Sequence, residues 1–290
     1  MARVIAGPGA GFQGSVDDLS FYKMRGVEGT IVRRKGGPSK EQVKNAPSMV
    51  QTRRGNSEFA GRAKTAQWIM RSLFYHKSLA DHNIAGPLNA LMRPVQALDG
   101  ESVLGQRDVR LSANPQILKG FSLNRNNPFD TAIRYPIEYV LDRDTATAFV
   151  QVPELQPGIN LFAPEKYPWF SIVISLGIVP DLVFTKDQEP ADPDYDSFTD
   201  SEARSSVHAY SYTHPEYQLL DTLPVCAVTV WHPVKKGCPA IPLDLQLLIP
   251  PPDNHFTLLL SIGIRYGIQE DAQTITQARY AGAAKILAVE

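Results

Sequence analysis

Cysteine is nearly absent from this chain: Cys226 and Cys238 are the only two in 290 residues, too few for a disulfide-stapled scaffold. Long apolar runs are missing as well. No stretch approaches the roughly 18 to 20 uncharged residues that cross a bilayer as a helix, so no membrane span is expected. Met1 to Gln13 has neither the apolar run nor the small-residue cleavage site of a secretory leader. The expectation is a cytoplasmic protein, or one released or assembled without a Sec signal. Reaction signatures are also lacking. The six histidines, His76, His82, His208, His214, His232 and His255, show no H-E-x-x-H spacing, and neither a G-x-S-x-G elbow nor a G-x-x-x-x-G-K-[ST] phosphate loop occurs. These absences point away from an enzyme and imply no cofactor and no metal. What is present, 43% hydrophobic and 20% charged residues, is enough for a folded chain with a sizeable core.

Charge of one sign is not scarce overall, but it is sorted along the chain. Met1 to Arg110 holds 17 Lys plus Arg against 9 Asp plus Glu, whereas Leu111 to Glu290 holds 12 against 21, so a net charge of −1 conceals +8 and −9. The basic part is densest from Lys23 to Lys64, and Asp181 to Glu202 carries eight acids and one lysine. Such asymmetry points to partners. One reading joins the basic end of one copy to the acidic end of the next; complementary potentials of this kind orient a contact more than they tighten it. A head-to-tail contact closes into rings or runs on as a filament. The other reading sets the cations against nucleic acid or another acidic polymer, with affinity falling steeply as salt rises.

The periodicity gives a mainly β chain with an α+β N-terminal region. Val16 to Met24 reads as one strand with Leu19 and Phe21 on a common face, and Thr30 to Lys35 as a second. Arg25-Gly26-Val27-Glu28-Gly29 between them suits a hairpin loop. Ser39 and Gln42 form a capping-box pair for a helix that Pro47 limits to about two turns. Phe59, Ala63, Ala66, Met70 and Leu73 make a helical stripe with Asn56 or Ser57 as its cap, and a second helix begins at Pro87 through Leu88, Leu91, Met92 and Val95, with Pro94 kinking or shortening it. Beyond Leu111, β-rich runs separated by proline and glycine recur: 133–135, 146–152, 169–176, 207–212, 225–231, 243–249, 256–264 and 284–289. They predict an antiparallel β-sandwich of one or two subdomains. The division expected from these patterns is a basic hairpin-plus-helix region over 1–110 and an acidic β-rich region over 111–290, with a further break near 188–200.

Three motifs invite chemistry. Gly9-Ala10-Gly11-Phe12-Gln13-Gly14 satisfies G-x-G-x-x-G, but a strand follows it and no acid stands about 20 residues on, so a loop is the better reading. Cys226, His232 and Cys238 lack a fourth ligand and zinc-loop spacing, and a turn at Val234 to Gly237 would set Cys226 opposite Leu245; buried free thiols are expected. Asp192, Asp194, Asp196 and Asp200 resemble a calcium loop, yet Ser197 and Ala203 occupy its glycine and bidentate-glutamate positions.

Gly11 to Lys35, with Phe-Gln-Gly-Ser-Val, Leu-Ser-Phe-Tyr and Ile-Val-Arg-Arg-Lys, and Gln277 to Ala284 near the end, resemble uncharacterised β-rich proteins of Bacteroidota that carry a glycine-led N-terminal hairpin. The resemblance covers about a quarter of the chain. It implies a β-sandwich with a prominent hairpin and brings no catalytic residue with it.

The function expected from these patterns is a noncatalytic structural subunit that self-associates directionally into a filament, tube or shell. Arg25, Arg33, Arg34, Lys35, Arg53 and Arg54 would supply positive charge, and Asp187, Glu189, Asp192, Asp194, Asp196 and Asp200 negative charge. Phe12, Phe21 and Tyr22 would supply apolar contact, because exposed ion pairs contribute only about 0–1 kcal/mol each. Nucleic-acid binding is the alternative, and a hydrolase or glycan-active enzyme with no visible motif is the second.

Overall fold

A computed structural model describes residues 2–5, 7, 11–24, 28–184, 212–213, 224–248, 250–251, 253–271 and 274–290. The protein is mainly β, built from antiparallel sheets with a few helices. It forms two compact units, Met1–Arg53 and Arg54–Glu290. The boundary near 110 follows the sorting of charge, whereas this division follows contact density, and the helices between Arg54 and 110 belong to the second unit. Opposite charge survives the redivision: the first unit holds nine Lys plus Arg against four Asp plus Glu, or +5, and the second twenty against twenty-six, or −6.

In the first unit, β1 (Ala2–Val4), β2 (Gly14–Val16), β3 (Leu19–Tyr22) and β4 (Thr30–Arg34) make one antiparallel sheet in the order β1-β4-β3-β2. The expected pairing of Leu19–Tyr22 with Thr30–Arg34 is present, with Phe21 opposite Val32. The expected single strand over Val16–Met24 is not. Asp17 and Asp18 turn the chain between β2 and β3, with Asp17 at φ 46°, a left-handed conformation that aspartate tolerates better than most side chains. Gly11 and Gly14 therefore lead into a hairpin, and no helix N-terminus follows to receive a phosphate; Gly9 lies outside the described residues. After β4, α1 (Lys40–Asn45) begins at the expected capping box: Gln42 N–H donates to Ser39 Oγ (3.2 Å), and Ser39 N–H to Gln42 Oε1 (2.8 Å).

The second unit is three layers deep. Strand β7 (Trp169–Pro180) lies between β10 (Val225–Val228) and β13 (Phe256–Gln269), and β13 pairs in turn with β14 (Ile275–Val289). Segment β11 (His232–Pro233) also borders β7, while β8 (Val183–Phe184) pairs with β9 (Tyr212–Thr213). A separate sheet runs β12 (Ile241–Gln246), β6 (Thr147–Val152), β5 (Glu138–Asp142). On one face of β7 and β13, Phe170, Ile172, Ile174, Leu258, Leu260 and Ile262 pack against Ala148, Val150 and Leu245 of the smaller sheet. On the other, Val173, Val179 and Leu259 share a core with Ile69 of α2 (Val50–Ser72), Leu73 just beyond it, and Leu88 and Met92 of α3 (Ala85–Ala97). Strands covered on both faces need no polar alternation, which is why Trp169–Pro180 reads as an almost unbroken apolar run.

Local corrections accompany this architecture. The helix α3 buries Leu88, Met92 and Val95 as its stripe requires and keeps Pro94 inside. Of the expected stripe, Ala66 and Leu73 are buried, but the inward face of α2 also takes Glu58, Gly61, Thr65, Ile69 and Ser72, and Phe59 is 57% exposed. This helix also starts at Val50, ahead of the expected caps at Asn56 and Ser57. The run 133–135 follows the short helix α4 (Phe129–Ala132) and contributes only an isolated bridge from Ile133 to Leu161. Among the described residues, no helix is long and apolar enough to cross a membrane.

Candidate interaction surface

Register fixes which side chains of the first unit share a face. Directly paired residues of an antiparallel sheet point the same way. Val16 stands opposite Leu19, Phe21 opposite Val32, Leu19 opposite Arg34, and Val4 opposite Thr30. That face is therefore apolar apart from Thr30, which is buried, and Arg34 at its rim. Phe12, in the segment before β2, folds onto it with its ring edge-on to Phe21, centroids 5.1 Å apart. Phe12, Val16, Leu19 and Phe21, with Asp17, Asp18 and Arg34, line an open groove of about 440 Å³. Phe12 is 42% exposed, Val16 49% and Leu19 41%. The other face carries Tyr22 and Arg33, stacked with the guanidinium carbon 5.6 Å from the ring centroid, a favourable but solvent-facing cation–π contact.

The charged rim of the groove sets Arg34 against two carboxylates, Asp17 and Asp18. Arg34 reaches Asp18 at 3.5 Å, with both side chains largely in water, so this pair holds little energy and opens readily. Lys35 is exposed beside it. Two of the six predicted cations serve otherwise or stand apart. Arg53 donates from Nη1 to the carbonyls of Val43 (2.8 Å) and Ala46 (3.0 Å), satisfying acceptors at the end of α1, and Arg54 is an exposed residue of α2 in the second unit. Arg25 and all six predicted acids, Asp187, Glu189, Asp192, Asp194, Asp196 and Asp200, lie outside the described residues, as does the resemblance to a calcium loop. The structure thus gathers Phe12, Phe21 and Arg34 on one face, puts Tyr22 and Arg33 on the other, and adds Val16 and Leu19. The missing signal was Asp17-Asp18 between two short apolar alternations, a two-residue hairpin pattern.

Other chemistry-bearing residues are held inside the fold. His76, Ser175 and Ser261 cluster within hydrogen-bonding distance, but all three are fully buried between α2's successor turn (Phe74–Leu79) and the large sheet. A substrate has no approach to them. Cys226 pairs in register with Ser175 of β7, not with Leu245, because the chain between Val225 and Gln246 borders two different sheets. Cys238 bridges Leu155; both thiols are free, but against expectation only Cys238 is buried, Cys226 lying at the half-exposed edge strand β10. Among the described residues no three His, Cys, Asp or Glu side chains converge as metal ligands would. Comparison of the chain with protein-family models, with curated proteins and with solved structures finds no match.

Proposed function

We propose that the protein is a noncatalytic structural subunit that self-associates directionally, with the apolar face of its N-terminal sheet as one contact surface. One observation carries the reading: among the described residues of the first unit, only Thr30 and Ile31 are buried. A sheet is stable when one face is covered, and here Phe12, Val16, Leu19 and Phe21 present a face that a neighbouring surface would complete. Fully burying side chains of this size is worth about 1.5–3 kcal/mol each. Part of that gain is already realised in the free chain, and association costs about 4–15 kcal/mol of lost freedom, so each contact is weak and a repeating assembly gains from many of them.

Charge supplies direction. The two units carry +5 and −6, which favours a positive unit of one copy meeting a negative unit of the next over like meeting like. Nucleic acid as partner would engage Arg33, Arg34 and Lys35 but would leave the apolar face unused. Light scattering across protein concentration and salt, with and without added nucleic acid, separates the two. Self-association predicts mass that grows with concentration and survives without nucleic acid. A chain that stays monomeric until nucleic acid is added overturns it.

A further inference from the structure

The second face of the N-terminal sheet has a different chemistry from the apolar one. Register sets Arg3, Ile31 and Tyr22 in one row across β1, β4 and β3, and Arg33, Ser20 and Ser15 in the next across β4, β3 and β2. The backbone N–H of Lys35 donates to the Asp18 carbonyl, which carries the pairing of β4 with β3 one residue past Arg34 and puts Lys35 after Arg33 on this face by alternation. Arg3, Ser15, Arg33 and Lys35 are exposed, Ser20 and Tyr22 are half-buried, and Ile31 is buried. No acid shares these rows. Asp17 and Asp18 line the groove on the opposite face, and Glu28 and Glu41 stand outside the strands.

We infer that this face binds single-stranded nucleic acid, a second activity beside self-association. Charge complementarity selects the partner: Arg3, Arg33 and Lys35 with no carboxylate among them, in a unit of net charge +5, match a chain that carries a phosphate on every nucleotide. The hydroxyls of Ser15 and Ser20 are donors of the kind that accompany arginine at phosphate oxygens. The Arg33 guanidinium over the Tyr22 ring, 5.6 Å from its centroid, adds a flat cationic plane that an unpaired base stacks on. That plane separates single strand from duplex, since a paired and stacked base has no free face to offer it. An acidic protein would use the cations alone. Nucleic acid adds to self-association here and does not replace it, because the two use opposite faces of the sheet. Three phosphate contacts on a single strand give a slope of about −2 in log affinity against log salt, so binding is expected to weaken about twentyfold between about 50 and 200 mM salt.

Fluorescence anisotropy of a labelled oligothymidylate of about 16 nucleotides, the upper end of single-fold site sizes, titrated with the full chain, tests the inference. The wild type should bind it with that salt slope, and should bind its duplex with oligoadenylate more weakly. Arg33→Gln, at an exposed position, should weaken binding at least about fivefold and flatten the slope by about 0.7. Tyr22→Leu, which keeps an apolar side chain, should weaken it at least about fivefold with the slope unchanged; circular dichroism checks that both variants keep the wild-type fold. At about 0.15 M salt, where charges beyond about 8 Å are screened, Arg34→Gln on the apolar face should bind as the wild type does. A wild type that does not bind the strand at low salt overturns the inference, as does a duplex bound as tightly as the single strand. Equal losses from Arg34→Gln and Arg33→Gln would mean attraction by net charge without a face, and overturn it too. Phe12→Ser/Leu19→Ser, altered on the other face, should bind the strand as the wild type does, so failure of either activity leaves the other standing.

Discussion

A Cβ added to Gly177 would stand 2.8 Å from the Cβ of Ser72. Helix α2 comes this close to strand β7 because both contact residues are small, and Ser72 Oγ uses the approach to donate to the carbonyl of Ile178 at 2.9 Å. Gly177→Ala is therefore expected to destabilise the second unit by about 1–3 kcal/mol, the usual range for overpacking. Thermal or urea denaturation reads the loss. Ser72→Gly in the same chain should return part of it, since the two positions share one clash; equal stability of Gly177→Ala and wild type would show that the helix relaxes away at no cost.

The buried His76 makes stability depend on pH. Its Nε2 lies 3.2 Å from the Val173 carbonyl, which can only accept, so Nε2 carries the hydrogen and Nδ1 accepts from the Ser261 or Ser175 hydroxyl. Burial pushes its pKa down from 6.5 to about 4. The unfolded chain then binds more protons than the folded one between those values, so stability is full above pH 6.5 and declines as pH falls toward 4. Burial lowers His232 in the same direction. For His76 the whole window is worth about 3 kcal/mol. Urea midpoints from pH 7 to 4.5 should fall for the wild type and change less for His76→Gln; parallel curves would contradict the assignment.

Glu58 and Arg107 form a two-pronged pair, Nε to Oε1 at 2.6 Å and Nη2 to Oε2 at 2.7 Å, with the Glu58 side chain 6% exposed. Gly105 N–H adds a third donor to Oε1. The Arg107 hydrogen bonds hold Glu58 below the ordinary carboxylate range, so its contribution is present above about pH 4.5 and is lost on further acidification. Arg107→Ala would leave this carboxylate buried with fewer partners, at a cost of about 3 kcal/mol, read as a lower denaturation midpoint. A change below about 0.5 kcal/mol would mean that water replaces the guanidinium.

The sequence carried the fold unevenly, and the reason is physical at each point. The Ser39–Gln42 capping box and the Leu88, Met92, Val95 stripe depend on neighbours in sequence, and both appear where expected. The face of α2 does not, because hydrophobicity favours Phe59 while the close approach to Gly177 favours the small Ser72. Strand order was equally hidden: nothing local distinguishes β10 as a neighbour of β7 from β10 as a neighbour of β12. For the candidate surface, alternation exposed Leu19 and Phe21 as a shared face, but Val16 joined them only through the turn at Asp17 and Asp18.

Phe12 and Leu19 offer the cleanest separation of association from folding, since both are substantially exposed in the free chain. Their replacement by serine should leave the denaturation transition of the second unit unchanged, since neither residue belongs to its core, while reducing association.

Sedimentation velocity of the full chain and of the Phe12→Ser/Leu19→Ser variant, each over a concentration series at low and high salt, is the most direct test. The account predicts a sedimentation coefficient that climbs with concentration for the wild type, climbs less as salt rises, and stays at the monomer value for the variant. A wild-type coefficient that never leaves the monomer value, or a variant that climbs alongside it, would contradict the claim that this face joins one copy to the next.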